Sequence, residues 1–395
     1  MANSFDYASI FQQALDEEMV AELTTRAMEA PAGAVQYSGG NEIKVLKMAL
    51  TGLGDYSRST GFPTSGAVTT NWETHTFDKD RGQSFTIDAM DNDESFVDVA
   101  GQVMGEFQRT KVAPEVDAYR YSKIWSIALT NSKIARYTPA VATIYSQLKS
   151  EIATVQNIIG ETEPLTIYMS FEAADILDRS TELDHQLSVG EANMGGIKSK
   201  VKMLDDIPIM RVPAVRLKTE FTFSATDGFS APSTSSEINW IIAANRSCIG
   251  IVKQDKVRTF SPDVNQDADA WKLQYRKYHT LIIPDNKVDG VWISYAGVDA
   301  PALTATVAGG SASGTTKFTA TAGEGNTLGY ILGAASPGAK YLDLIDSFTG
   351  AVEPYTSGAD ISATAGQILT MCKVNSAGRI IELKEVTLAS GDITA

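Results

Sequence analysis

Three histidines, His75, His185 and His279, are the side chains best suited to base catalysis or metal binding near neutral pH, and they lie far apart in the chain. A zinc site needs several His, Cys or carboxylate ligands at short fixed spacings, and neither an HExxH nor a CxxC pattern occurs. A G-x-S-x-G elbow for a nucleophilic serine is missing as well. Residues 333–340, GAASPGAK, have the outline of a phosphate loop. Ala339 stands where a lysine must reach the phosphates, and Lys340 where a hydroxyl must hold magnesium. Gly323, Gly325 and Gly329 miss the dinucleotide-binding spacing by one residue and follow no βαβ pattern. Asp263, Asn265, Asp267 and Asp269 imitate the opening of a calcium loop, with Ala268 replacing the turn glycine and Gln274 the bidentate glutamate. These stretches read as turns. The sequence is that of a non-enzyme with no cofactor, and a hydrolase assembled from distant residues around one histidine is the open alternative.

Charge points the same way. The 395 residues carry 33 Lys and Arg against 48 Asp and Glu, a formal charge of −15, which excludes a surface that grips nucleic acid throughout. Residues 109–136 reverse the balance locally, with Arg109, Lys111, Arg120, Lys123, Lys133 and Arg136 against Glu115 and Asp117. No aromatic-interleaved nucleic-acid-binding motif accompanies them, so they read as a solvated or subunit-pairing face. With 43% hydrophobic residues and no low-complexity tract, the chain folds. No secretory signal and no apolar run of membrane-spanning length is visible, and Cys248 and Cys372 are too few for a disulfide framework.

The elements that would position these residues are mixed α+β. Tyr7, Ile10, Phe11 and Leu15 recur at helical spacing in an N-terminal arm. Glu42 to Leu50 reads as a strand, followed by a Gly-, Ser- and Thr-rich loop through Gly66. Trp72 to Met90 reads as two alternating runs around the turn residues Asp78 to Gly82, a long hairpin with little core of its own. Such a hairpin must lie on something else.

A helix follows, with Phe96, Ala100, Val103, Met104 and Phe107 on one stripe, Asp91 and Glu94 placed for a capping box, and Pro114 as its stop and as the first-turn proline of a second helix through Val116, Tyr119 and Lys123. A further helix is expected from Pro139 to Ile159, capped by Thr138 and closed by Gly160. Strands are expected at Leu165 to Ser170, Ile207 to Pro213 and Ile238 to Ala244, with Ser170 capping a short helix. Ile249 to Phe260, Trp271 to Ile283 and Val288 to Ala296 should pair in one antiparallel sheet. Residues 300–395 hold only 5 Lys and Arg and 8 Asp and Glu, and their Gly-rich hairpins imply a separate small β-sandwich.

NEIKVLKMALTGLGDYSRSTGF from Asn41, FTIDAMDNDES from Phe85 and GEFQRTKVAPEVDAYRYSKI from Gly105 occur in an order that resembles the major capsid proteins of tailed bacteriophages, of the Hong Kong 97 fold. The resemblance spans Ser4 to Ala296. It implies an N-terminal arm at 1–40, an extended E-loop at 41–90 and a peripheral domain with its spine helix at 91–135. An axial domain at 136–259 and peripheral return strands at 260–299 would follow, and 300–395 would be an immunoglobulin-like decoration domain. Lys79, Asp80 and Arg81 would form the E-loop tip and, with Arg109, Lys111 and Arg120, contact neighbouring subunits. The implied partners are further copies of the chain in hexamers and pentamers, a scaffolding protein and a portal, around double-stranded DNA held without sequence recognition and with no membrane. The implied location is the virion, assembled in the bacterial host's cytoplasm. A surface- or glycan-binding protein acting through its β-sandwich is the other reading.

Overall fold

A computed structural model describes residues 23–29, 41–53, 55–59, 68–89, 99–180, 187–194, 197–226 and 228–394. The expected arm helix at Tyr7 to Leu15, and the Asp91 and Glu94 cap, lie outside the described residues. The chain divides into two units. The first comprises 1–135, 139–230 and 238–294; the second comprises 136–138, 231–237 and 295–395.

In the first unit, β1 (Glu42–Leu50) pairs antiparallel with β2 (Val68–Thr76), Leu46 opposite Trp72. The expected hairpin between β2 and the following run does not form. That run is β3 (Lys79–Asp88), which turns away after Phe77 and Asp78 and joins a different sheet. The reason lies in two of its turn-like residues. Asp78 is captured by Tyr119, Lys123 and Thr280. Gly82 lets the strand press close to its neighbour, since a Cβ there would stand 2.9 Å from the Tyr275 carbonyl oxygen.

The first long helix begins with α1 (Val99–Phe107). Pro114 does not stop it. The chain passes through one π turn, Gln108–Val112, into α2 (Ala113–Thr130), with the proline in the first turn of α2. Widening the helix at this point removes the clash and the lost hydrogen bond that a proline otherwise imposes on the preceding turn. After the short strand β4 (Ile134–Arg136), α3 (Ile144–Ile159) starts five residues later than expected. Thr143 is at its N-cap in place of Thr138, and Val141 is exposed. Gly160 ends it at φ +84°.

β5 (Leu165–Ser170) is buried along its whole length, and the Ser170 hydroxyl accepts the Ala173 amide to cap α4 (Phe171–Asp178). The strands β6 (Leu187–Met194), β7 (Ile197–Leu204) and β8 (Ile207–Val212) follow. A small ribbon pairs β9 (Thr222–Ser224) with β10 (Gly228–Ser230). Then come β11 (Ile238–Ala244), β12 (Ile249–Phe260), β13 (Ala270–Ile282) and β14 (Val291–Tyr295). A seven-stranded sheet has the order β4-β14-β11-β5-β8-β7-β6, and a three-stranded sheet the order β12-β13-β3.

The last three strands therefore do not share one sheet. β14 joins β11, a strand buried at every position, while β12, expected within the 136–259 stretch, pairs with β13. One face of the three-stranded sheet packs Phe85, Leu273 and Tyr275 against Met104, Phe107, Val112 and Val116 of the helices.

The second unit is a β-sandwich. β15 (Ala305–Gly309), β16 (Thr315–Ala320) and β19 (Ile361–Ser362) form one sheet. β17 (Asn326–Gly333), β18 (Ala351–Val352), β20 (Ile368–Asn375) and β21 (Ile380–Thr387) form the other. The β15–β16 and β20–β21 hairpins pair as their sequences imply. Phe318, Leu328, Tyr355, Leu369 and Met371 fill the space between the layers, and Tyr355 fixes β16 by hydrogen bonds with the Phe318 amide and carbonyl.

Candidate assembly interface

The β1–β2 hairpin has two chemically different faces, set by strand alternation. On one face Ile43 and Val45 pack with Phe77, Ile251 and Ile282, tying the base of the hairpin to the body. Further along the same face, Lys47 bridges Glu73, 2.9 Å away, and Asp285, while the Asp285 amide donates to the Glu73 carboxylate. The hydrogen bonds from Lys47 to Asp285 and Glu73 raise the Lys47 pKa. His75 lies 2.9 Å from Glu73 in the same group.

The opposite face carries Leu46, Met48 and Leu50 on β1, facing Trp72, Thr70 and Val68 on β2. Its five apolar side chains are all exposed, as are Leu53 and Tyr56 in the loop beyond. A contiguous exposed apolar stripe is a candidate docking surface.

Of the residues that the sequence singles out, most are engaged within the chain. Lys79, Asp80 and Arg81 are not at a hairpin tip; they open β3 opposite His279, Tyr278 and Lys277. The actual hairpin is β1–β2, whose strands are joined through residues 51–67. Lys79 points at the Phe223 ring at 3.9 Å, and burial lowers its pKa. Arg81 grips Glu115 at 2.7 Å and donates to the carbonyls of Ser224 and Gly228. Asp80 is held by the Arg276 guanidinium, whose hydrogen bonds lower its pKa. Arg109 pairs with Glu106 one turn back, and Lys111 is exposed.

Arg120 is fully buried. It donates to the Thr25 carbonyl and hydroxyl and to Glu29, so it holds this chain's own N-terminal segment and is no surface group. Beside it the buried Asp117 accepts the backbone amides and hydroxyls of both Thr24 and Thr25 and pairs with Arg216. Residues 23–29 of the arm are thus docked on their own subunit. A pair of threonines before a helix is common in any sequence, so nothing there signals this socket.

His279 is buried in β13 with its ring edge toward Tyr119, and its Nδ1 meets no hydrogen-bond partner among the described residues. Burial, reinforced by Arg120, Lys277 and Lys79, holds its pKa well below the ordinary value. Cys248 and Cys372 are free and buried, and burial pushes each thiol up to about 12. Among the described residues no cluster of His, Cys, Asp or Glu is arranged to hold a metal ion, and no helix is long and apolar enough to cross a membrane. His185 lies outside the described residues.

Comparison with solved structures bears on this geometry. The capsid structure of the cyanophage P-SCSP1u matches at TM-score 0.50 and 12% identity, over 66% of this chain and 85% of that one. The chain's fold is similar to that of a viral capsid protein. The mature capsid of bacteriophage PhiM1 matches at TM-score 0.47 and 11% identity, over 65% and 82% of the two chains. Residues 308–391, within the sandwich, match the family of the S-layer protein SbsC C-terminal domain. Domains 7, 8 and 9 of SbsC match at TM-score 0.22 and 23% identity, over 29% of this chain and 37% of that one. No curated protein sequence matches.

Proposed function

We propose that this chain is the major capsid protein of a tailed bacteriophage, of the Hong Kong 97 kind, assembling through its projecting hairpin into hexamers and pentamers that close a shell around double-stranded DNA. The observation that carries this reading is the exposed apolar face of β1–β2, tethered to the body on its other side. Five apolar side chains on one face of a two-stranded ribbon gain burial when a second molecule covers them. Identical chains provide that cover for one another when each lends its hairpin and receives a neighbour's. The redrawn hairpin makes residues 41–76 the E-loop, with its tip in 51–67. The helix through α1 and α2 takes the place of the spine, over the β12-β13-β3 sheet of a peripheral domain.

The seven-stranded sheet, with α3 and α4, corresponds to the axial domain at the centre of each ring. The sandwich of residues 300–395 is an immunoglobulin-like decoration module, and its sequence match to a surface-layer protein domain favours outward display. A scaffolding protein and a portal are the further partners. Static light scattering and negative-stain microscopy of the purified full chain test the reading. Closed particles of megadalton mass are expected, and a monomer that persists at every concentration, with or without scaffold, overturns it.

A further inference from the structure

A chain with a formal charge of −15 repels its own copies unless the surfaces that meet are locally opposite in sign. The outer face of the β12-β13-β3 sheet supplies one such surface. Strand register sets Lys256 beside Arg276 and Gly82, and Arg258 beside Gln274 and Ser84. These residues line an open groove of about 390 Å³. Gly82, required for close approach to Tyr275, also keeps the groove floor low. Arg276 is committed to Asp80 through two hydrogen bonds. Lys256 and Arg258 are exposed and form no ion pair among the described residues, so the groove keeps two uncompensated positive charges.

The loop that joins β12 to β13 in the same sheet has the reverse character. Asp263, Asp267 and Asp269 are exposed there, and among the described residues only Asp267 has an ion-pair partner, Lys272 at 2.8 Å. The loop is preorganised. The Ser261 carbonyl accepts the amides of Val264 and Asn265 at 3.0 Å each, and the Asn265 side chain accepts the Asp267 amide and donates to the Ala270 carbonyl. Holding two free carboxylates on a rigid turn lowers the ordering cost of docking.

We infer that the groove of one copy receives the 261–269 loop of a second copy, with Asp263 and Asp269 meeting Lys256 and Arg258. The inference rests on the self-assembly reading and names a second joint for it, distinct from the hairpin. Groove and loop are different patches of one surface, so the contact is head-to-tail, and repetition of such a contact generates rings when the rotation closes. A phosphate backbone is the competing occupant of a basic groove. It is disfavoured because the chain's net charge of −15 repels a long polyanion as a whole, and no exposed aromatic ring lines the groove to offer a stacking surface.

The test is a charge swap in the full chain, read by sedimentation, which registers dimers, rings and shells alike. Lys256→Glu with Arg258→Glu should raise the concentration needed for assembly on the order of tenfold, and Asp263→Lys with Asp269→Lys should do the same. Combining all four should restore assembly to within about threefold of the unsubstituted chain. The milder Lys256→Gln with Arg258→Gln, checked by thermal melting, guards against misfolding and should give an intermediate loss. Unchanged assembly of the groove variant, or failure of the combined variant to recover, overturns the inference. So does a groove variant that assembles normally while losing salt-sensitive retention of DNA. If the unsubstituted chain forms oligomers but never closed particles, the capsid reading fails, and the swap still decides the joint.

Discussion

Replacing Trp72 and Leu46 together with serine should abolish shell assembly and leave the subunit folded. The two side chains face each other across the β1–β2 ladder, with 64% of Trp72 and 51% of Leu46 exposed. A tryptophan presents roughly 200 Å²; at about 25 cal/mol per Å², covering the exposed part contributes ~3 kcal/mol. Leu46 adds about 1 kcal/mol on the same scale. A loss of ~4 kcal/mol per hairpin corresponds to a fall on the order of a thousandfold in the association constant of each contact. Within the subunit the pair contributes only its cross-strand contact, about 0.2–1 kcal/mol, so melting should fall by no more than about 4 °C. Light scattering across a concentration series gives the first quantity and differential scanning calorimetry the second. Shells forming at the unsubstituted concentration would refute the argument. So would a melting point lowered by much more than that, since the side chains would then belong to the subunit's own core.

Other substitutions probe the interior. Asp117→Ala removes the acceptor of four hydrogen bonds from Thr24 and Thr25 and the partner of Arg216, and should cost about 3–5 kcal/mol in urea unfolding while exposing residues 23–29 to protease; a loss below 1 kcal/mol would contradict the socket. Burial opposes the charge of Asp78, but hydrogen bonds from Tyr119, Lys123 and Thr280 outweigh it and leave the pKa lowered. That stability is present above the unfolded carboxyl pKa, about 4, and is lost as pH falls through the lower folded value, so Asp78→Asn should flatten the acid limb of the stability profile measured by denaturant titration. The pKa of His279 is also lowered, so its contribution is present above about 6.5 and declines as pH drops below that value; His279→Gln should remove this decline in the same titration. Deleting residues 300–395 should leave assembly intact by microscopy, and loss of all particles would show that the sandwich takes part in closing the shell.

Elements whose partners lie close in sequence, or whose burial is complete, were legible from the residues alone. β5 and β11 are mostly apolar runs buried at every position, Ser170 caps its helix through a local hydrogen bond, and the two sandwich hairpins close on themselves. Where partners are distant, local chemistry misled. Asp78 to Gly82 has the composition of a turn, yet the groups that decide its fate are Tyr119, Tyr275 and Thr280, up to some two hundred residues away. Pro114 was legible as the first-turn proline of α2, but not that a π turn would join α1 to α2 without a break. Of the assembly surface, the sequence conveyed that an extended hairpin lacks its own core. It did not convey which strands form it, because β1 and β2 are separated by a long loop while β2 and β3 are nearly adjacent. The basic run at 109–136 misled for a related reason: Arg120 turns inward to meet Thr25 and Glu29.

The docking of residues 23–29 also sets a timetable for the nascent chain. Thr24 and Thr25 leave the ribosome early but must wait for Asp117, and Glu29 bridges to Gly250, more than two hundred residues later. The first unit cannot be sealed until Gly250 has been synthesised. A truncated product or a stalled translation intermediate that lacks Gly250 therefore leaves residues 23–29 without their full set of partners.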